Sequence, residues 1–382
     1  MIYADHAATH PLRAAAWEAM TAARHLWGNP SSLHAAGRDA REALEAARAE
    51  IARLLGARPR EILFTSGGSE SNTTAIRSAA LRGAEAGKRH ILTTAVEHPS
   101  VLNTLAALET EGFTVERLPV TPQGFLSVGQ VAAAIRPDTA LVTVMHGNNE
   151  IGTVQPIREI AAVCRRQGVY CHTDGVQTVG RIPVDAAELG VDSLSFSAHK
   201  FGGPRGIGGL YLRRETPLTP LIPGGHQEGG RRAGTENLMG ALAMAAALTE
   251  AAESMTAENP RLCGLSACLV TEILGRIPRV RVNGYPLGVD TCTLPHIVSL
   301  TFEGIDGEAL VYRLDAEGIC VSAGSACTAG SPHPSHVITA LGVPPETALG
   351  TIRISMGEGN THEDVTRMAE TIARLVADLR SV

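Results

Sequence analysis

Lysine is nearly absent from this 382-residue sequence: of its 33 basic side chains only Lys88 and Lys200 are lysines. Arginine fills the solvated positions that either residue could serve. A guanidinium does not deprotonate in proteins, so a retained lysine points to a need for an amine nucleophile. Lys88 lies in EAGKRH, a polar turn ahead of an apolar run, and reads as a solvated side chain. Lys200, closing the segment SAHK, is the better nucleophile.

Other absences narrow the field. No stretch approaches the roughly 18 uninterrupted apolar residues of a spanning helix, so no membrane partner is expected. The opening MIYADHAATHPL has no positive region followed by an apolar run, which argues against a signal peptide. A net charge of −6 and the lack of any Lys/Arg cluster give no field for nucleic acid. The seven cysteines are scattered, odd in number and without C-x-x-C spacing. That argues against a disulfide framework or zinc site, and fits a reducing cytoplasm.

What is present is an ordinary globular composition, 44% hydrophobic, in a chain longer than one core usually supports. Two domains are expected, 1–255 and 256–382, with the first ten to fifteen residues free to pack with the second. Residues 31–56 read as a helix with Leu44, Ala47, Ile51, Leu54 and Leu55 on one face. Beyond it, the apolar runs EILFTS, HILTTA, TALVTVMH, VYCHTDG, DSLSFSA and GGLYLR alternate with helical stretches such as IREIAAVCRRQG. Continuous apolar strands alternating with helices predict an α/β unit on a mostly parallel sheet of about seven strands. A long helix is expected near 237–255. The pattern then changes to HIVSLTFEG, GICVSAG and TIRISMG mixed with helices, a smaller α+β unit. A last helix starts near Thr361, with Thr361 and Asp364 as a capping pair.

Polar groups gather where strands end, the place at which open α/β sheets bind ligands. In FTSGGSESN, Gly68 and Ser69 stand at a strand-to-helix junction. The junction is either a plain turn or an anion cradle of free helix amides. In VYCHTDGVQ, Asp174 is either a helix cap or a partner for a buried cation such as a protonated pyridine, with Gln177 three residues on. In SLSFSAHKFGG, Ser197, His199 and Lys200 leave a strand for a glycine-rich turn. Lys200 there is a strand-end side chain or a desolvated amine nucleophile. Cys327 lies in GICVSAGSACTAGSPHPSH, a Gly, Ser and Pro-rich loop ill suited to a structural thiol, whereas Cys164 and Cys171 read as small core residues. His333 and His336 in that loop read as solvated; no metal site is expected.

The order of these segments resembles the cysteine desulfurase family of class-V aminotransferase-type enzymes, essentially end to end. The resemblance is carried by DHAATHP, GNPSSLH, FTSGGSESN, EHPS, MHGNNEIG, HTDGVQ, SFSAHKFGGP, RRAGTEN, VSAGSACTAG and IRISMG. The SGSACT segment points to the subgroup with a long, mobile cysteine loop. The resemblance implies the pyridoxal-phosphate fold of type I and pyridoxal 5'-phosphate as cofactor. It makes Lys200 the covalent anchor of that cofactor, His98 its stacking and proton-moving partner, Asp174 the partner of the ring nitrogen, and Gln177 that of the ring hydroxyl. Gly68, Ser69, Ser197 and His199 would hold the phosphate, with Thr235 joining from the other subunit of a homodimer. Asn149 and Arg353 would receive the carboxylate of L-cysteine, and Cys327 would take its sulfur as a persulfide. A protein acceptor, in iron–sulfur assembly or tRNA thiolation, would then collect it.

The chain departs from the family at His10 in the opening motif, at Ser69 where threonine is common, and at Gly229, where an arginine is usual and this chain has Arg231 beside Arg232. A selenocysteine lyase is the nearest alternative enzyme. A sulfur carrier without catalysis is the non-enzymatic one, disfavoured by the joint presence of Lys200, Asp174, His98, Cys327 and Arg353. A nicotinamide enzyme is opposed by the lack of G-x-G-x-x-G.

Overall fold

The computed structural model describes residues 1–285, 292–324 and 334–381. Short runs of buried apolar side chains set the frame. Ile62–Thr65, His90–Thr94, Thr139–Thr143, Ser193–Ser197 and Gly208–Leu212 are strands with every residue buried. Such strands need cover on both faces, which helices supply. With Tyr170–Asp174 and Thr114–Leu118 they form a seven-stranded sheet. From one edge its order is Ile62–Thr65, Gly208–Leu212, Ser193–Ser197, Tyr170–Asp174, Thr139–Thr143, His90–Thr94, Thr114–Leu118. Gly208–Leu212 is antiparallel to both neighbours, and the remaining pairs are parallel. The expected α/β architecture is the one found.

The helix Ala35–Leu54 begins later than the sequence pattern suggested, because the His34 side chain caps it by accepting from Gly37 N. The expected helix after Asn237 is longer than read: Leu238–Arg276 runs 39 residues with Pro260 inside it. Its first half packs Leu238, Ala241, Met244 and Leu248 into the core beneath the large sheet. Its second half packs Leu262, Leu265, Leu269 and Ile273 into a separate core. That second core lies on an antiparallel sheet ordered Ser322–Ala323, Thr351–Ser355, Ile297–Phe302, Val280–Asn283. The helix His362–Arg380 adds Val365, Met368, Ile372 and Leu375, and the reciprocal Thr361–Asp364 cap starts it as expected.

The chain's first residues belong to this second core. Ile2–Tyr3 pairs in parallel with Ile319–Cys320, and Ile2 and Ala4 are buried there. The backbone then crosses toward the large sheet, where His10 N donates to His199 O and Arg13 N to Gly202 O. Among the described residues, no helix is long and apolar enough to cross a membrane, and no group of three or more His, Cys, Asp or Glu could hold a metal ion.

Candidate active site

The C-terminal ends of neighbouring strands deliver their next residues to one place. Thr65 leads to Gly68 and Ser69, Thr94 to His98, and Thr143 to Asn149. Asp174 itself ends a strand and is followed by Gln177; Ser197 ends another and is followed by His199 and Lys200. Together they line a cavity of about 400 Å³, to which the second sheet contributes Arg353. All the site residues expected from the sequence line this cavity except two. Thr235 is exposed and does not line it, and Cys327 lies outside the described residues.

Lys200 enters on a turn of 3-10 helix, Ala198–Lys200. Its Nζ donates to the carbonyls of Ala7 at 2.8 Å and Ala8 at 2.9 Å. Gln177 Nε2 donates to the same Ala7 carbonyl at 2.9 Å. The opening DHAATHP segment therefore forms one wall of the site through its backbone.

Asp174 is 4% exposed. Its Oδ1 accepts from Val176 N at 2.9 Å and its Oδ2 from Asn72 Nδ2 at 2.7 Å. The acid thus satisfies a backbone amide at a turn while lining the cavity. His98 caps the helix Pro99–Thr110, its Nδ1 accepting from Ser100 N at 3.1 Å and pairing with Ser100 Oγ at 2.8 Å. Burial lowers the His98 pKa; Asp174 opposes this, and Lys200 and His336 add to it.

At the other end of the cavity the helix Gly68–Glu85 presents its first amides. A Cβ on Gly68 would come 2.6 Å from Val176 Cγ2, so any side chain here would force Val176 or the helix start to move. Arg232 pairs with Glu70 of the same helix at 2.9 Å. Arg231 instead donates to the carbonyls of Glu228 and Arg60, away from the cavity. Gly229 has φ +66, in the left-handed region, where a side chain such as arginine is strained. His199 Nδ1 lies 3.2 Å from Thr9 Oγ1, and its pKa is lowered to about 4, first by burial and then by the charges of Lys200 and Arg205. It is a neutral hydrogen-bonding group at neutral pH.

Arg353, 1% exposed, donates from Nη1 to Asn149 O at 2.8 Å and from Nη2 to Asp5 Oδ1 at 2.8 Å. Its Nε is buried with no hydrogen-bond partner among the described residues. Behind it Glu150, fully buried, accepts from Ser335 Oγ, and burial raises its pKa to about 7. His336 is half-buried with Nε2 2.9 Å from Glu97 O, a packed histidine rather than the solvated one the sequence suggested. His333 lies outside the described residues. Cys164 and Cys171 are buried in the large core, as their setting implied.

Asp5, Asn72 and Ser100 were not singled out by the sequence, although each lies in or beside a quoted motif. The signal available was only their polarity next to glycines and strand ends. The donor set as a whole suits a group with an anion at one end, an aromatic ring able to carry a proton, and a carbon that an amine can attack. Pyridoxal phosphate has this form.

Comparison with known proteins agrees. The family model "Aminotransferase class-V" matches residues 2–368. The cysteine desulfurase IscS of Dictyoglomus turgidum is 45% identical over 382 residues, covering all of this chain and 96% of that protein. Among solved structures, a NifS-like protein superposes with a TM-score of 0.91 at 35% identity, covering 99% of this chain and all of that one. A structure described as SspA in complex with cysteine gives 0.81 at 36% identity, covering 93% of this chain and 99% of that one. By sequence and by fold, the chain belongs to the class-V aminotransferase family, in its cysteine desulfurase branch.

Proposed function

We propose that this pyridoxal-phosphate-dependent chain is a cysteine desulfurase, which takes the sulfur of L-cysteine onto Cys327 and releases L-alanine. The observation that carries the reading is one cavity holding Lys200, Asp174 and His98 together with the buried Arg353.

Pyridoxal 5'-phosphate, when bound, supplies a carbon that amines can attack and a ring that takes up the electrons freed at the substrate Cα. Lys200 would hold it covalently, with Asp174 at the ring nitrogen and Gln177 at the ring hydroxyl. Gly68, Ser69, Ser197 and His199 would bind its phosphate, through helix amides, hydroxyls and a neutral imidazole. Lys200 Nζ, positioned by the Ala7 and Ala8 carbonyls, takes the Cα proton of the substrate. Arg353 receives the substrate carboxylate beside Asn149, and its orphaned Nε is a donor that a carboxylate would satisfy. The thiolate of Cys327 attacks the substrate sulfur: an S–S bond forms as the Cβ–S bond breaks, and the electron pair left on carbon takes a proton to give alanine.

Thr235 is exposed on this chain and would complete the phosphate site of a second copy, which makes the working form a homodimer. A protein acceptor would collect the persulfide sulfur. The same reading divides the chain near residue 255, supported by two apolar cores that share one long helix.

Incubation with ³⁵S-labelled L-cysteine tests the reading. The expected result is label on Cys327 with stoichiometric alanine. Cys327→Ala should retain cofactor and release no alanine. Alanine release by that variant at the native rate would show that another thiol acts.

A further inference from the structure

We propose that Asn72 is a positioning residue that ties two groups of the site together: it holds the Asp174 carboxylate and, by donating to the Ser100 hydroxyl, orients the hydrogen bond that this hydroxyl gives His98 Nδ1. The proposal rests on the assignment of the cavity to pyridoxal phosphate, and concerns how its protein partners are set.

Asn72 is 1% exposed, in the second turn of the helix whose first amides form the anion cradle. An amide group can be built either way round, but here its partners decide. Asp174 Oδ2, at 2.7 Å, belongs to a carboxylate and can only accept, so the Asn72 NH₂ faces it. The second N–H reaches Ser100 Oγ at 2.9 Å. The Asn72 carbonyl is then the acceptor for His172 Nε2 at 3.0 Å. His172 is fully buried, and burial lowers its pKa to about 3, so it has one ring proton. That proton sits on Nε2, and Nδ1 accepts from Ser193 Oγ at 2.8 Å. Every hydrogen in this buried chain is therefore assigned by working outward from Asp174.

The consequence falls on His98. His98 Nδ1 lies 2.8 Å from Ser100 Oγ, which accepts from Asn72. Ser100 N donates to the same nitrogen at 3.1 Å. A ring nitrogen that accepts from a backbone N–H cannot carry the ring proton, so the proton of a neutral His98 belongs on Nε2 and the Ser100 hydroxyl donates to Nδ1. Meanwhile Asn72 and Val176 N hold one oxygen each of Asp174, which fixes the plane of its carboxylate. The helix that cradles the anion end thus also sets both groups at the ring end.

The test uses full-length protein labelled with [¹⁵N]histidine, with and without pyridoxal phosphate, His98 being assigned by its loss in His98→Gln. Two-bond ¹H–¹⁵N correlations should show His98 protonated on Nε2 only. Asn72→Ala should leave the proton on Nε2, since Ser100 N still donates to Nδ1, but shift the His98 ¹⁵N resonances as the Ser100 hydroxyl loses its donor, and weaken pyridoxal phosphate binding by about tenfold, the scale of one lost hydrogen bond to a charged group. Turnover should fall through kcat with KM for cysteine unchanged, since none of the Asn72 hydrogen bonds goes to Asn149 or Arg353. Ser100→Ala should also shift the His98 resonances and leave cofactor affinity intact. Asn72→Asp keeps the shape but sets a second carboxylate against Asp174, and should bind cofactor less well than Asn72→Ala. If Asn72→Ala does not fold, the last two variants decide. A wild-type His98 carrying its proton on Nδ1 overturns the proposal; so do variants that leave both His98 and cofactor affinity unchanged. Failure of the functional reading looks different: wild-type protein would then release no alanine from cysteine, whatever the His98 pattern.

Discussion

Asp5 and Arg353 are joined across 348 residues of sequence: Arg353 Nη2 donates to Asp5 Oδ1 at 2.8 Å. Ser322 Oγ donates to the same oxygen at 2.8 Å. The start of the chain thereby holds the guanidinium that would bind substrate. Asp5→Ala leaves a buried cation short of its carboxylate, so KM for cysteine should rise by about tenfold or more. Asp5→Asn keeps an acceptor oxygen and should do less harm, and Arg353→Ala more. Steady-state kinetics decide the matter, and an unaltered KM in Asp5→Ala would remove this contact from substrate binding.

The two lysines should separate cleanly. Lys200→Ala is expected to abolish the visible absorption of covalently held cofactor. Lys88, a half-buried side chain with Nζ 3.5 Å from Gly168 O and outside the cavity lining, should be replaceable by alanine without spectral change. Normal absorption in the Lys200 variant would sink the cofactor assignment.

Gly68→Ala tests the anion cradle. The added Cβ would lie 2.6 Å from Val176 Cγ2, closer than a real contact allows, so Val176 or the first helical turn beside it must shift. Pyridoxal phosphate affinity, measured by equilibrium dialysis, should fall by about tenfold or more, for a loss of one or two charge-assisted hydrogen bonds. Affinity equal to wild type would mean that these amides do not bind the phosphate.

Glu97 gives the protein a stability that depends on pH. Burial pushes its carboxyl from 4.5 up to about 8, against the hydrogen bonds it accepts from Thr94 and Met145 N. The folded chain therefore binds this proton more tightly than the unfolded chain does. Stability falls as pH rises from 4.5 to about 8, by at most about 1.4 kcal/mol per pH unit from this group. Glu97→Gln keeps the shape and removes the titration. Urea unfolding across that range should show wild type losing stability relative to the variant as pH rises. Parallel curves would show that Glu97 stays ionised in the fold.

Six of the seven large-sheet strands were legible because each is a continuous apolar run. The seventh, Thr114–Leu118, is TVERL at the sheet edge, with only its last residue buried, and carries no such run. Val280–Asn283 was missed for the same reason, being an edge strand of half-buried residues. The helix Leu238–Arg276 was cut short because MTAENP breaks the apolar pattern with polar residues and a proline. Packing of Leu262, Leu265, Leu269 and Ile273 on the second core carries it through. At the site, nucleophiles and charged partners were readable because their chemistry is rare. The carbonyls of Ala7 and Ala8 were not, since a backbone acceptor leaves no mark on residue identity. Asn72 was hidden because its role lies in which partners surround it.

The route of the opening segment also bears on how the chain is made. Ile2 pairs with Ile319, Ala4 O accepts from Ser355 N, and Asp5 holds Arg353. A ribosome emits the N-terminus first, and domains generally fold as their sequence emerges. These ten or so residues therefore wait until everything between them and the strands they join has been translated. Lys200, whose amine rests on the carbonyls of that same segment, is among the last parts of the nascent site to be put in order.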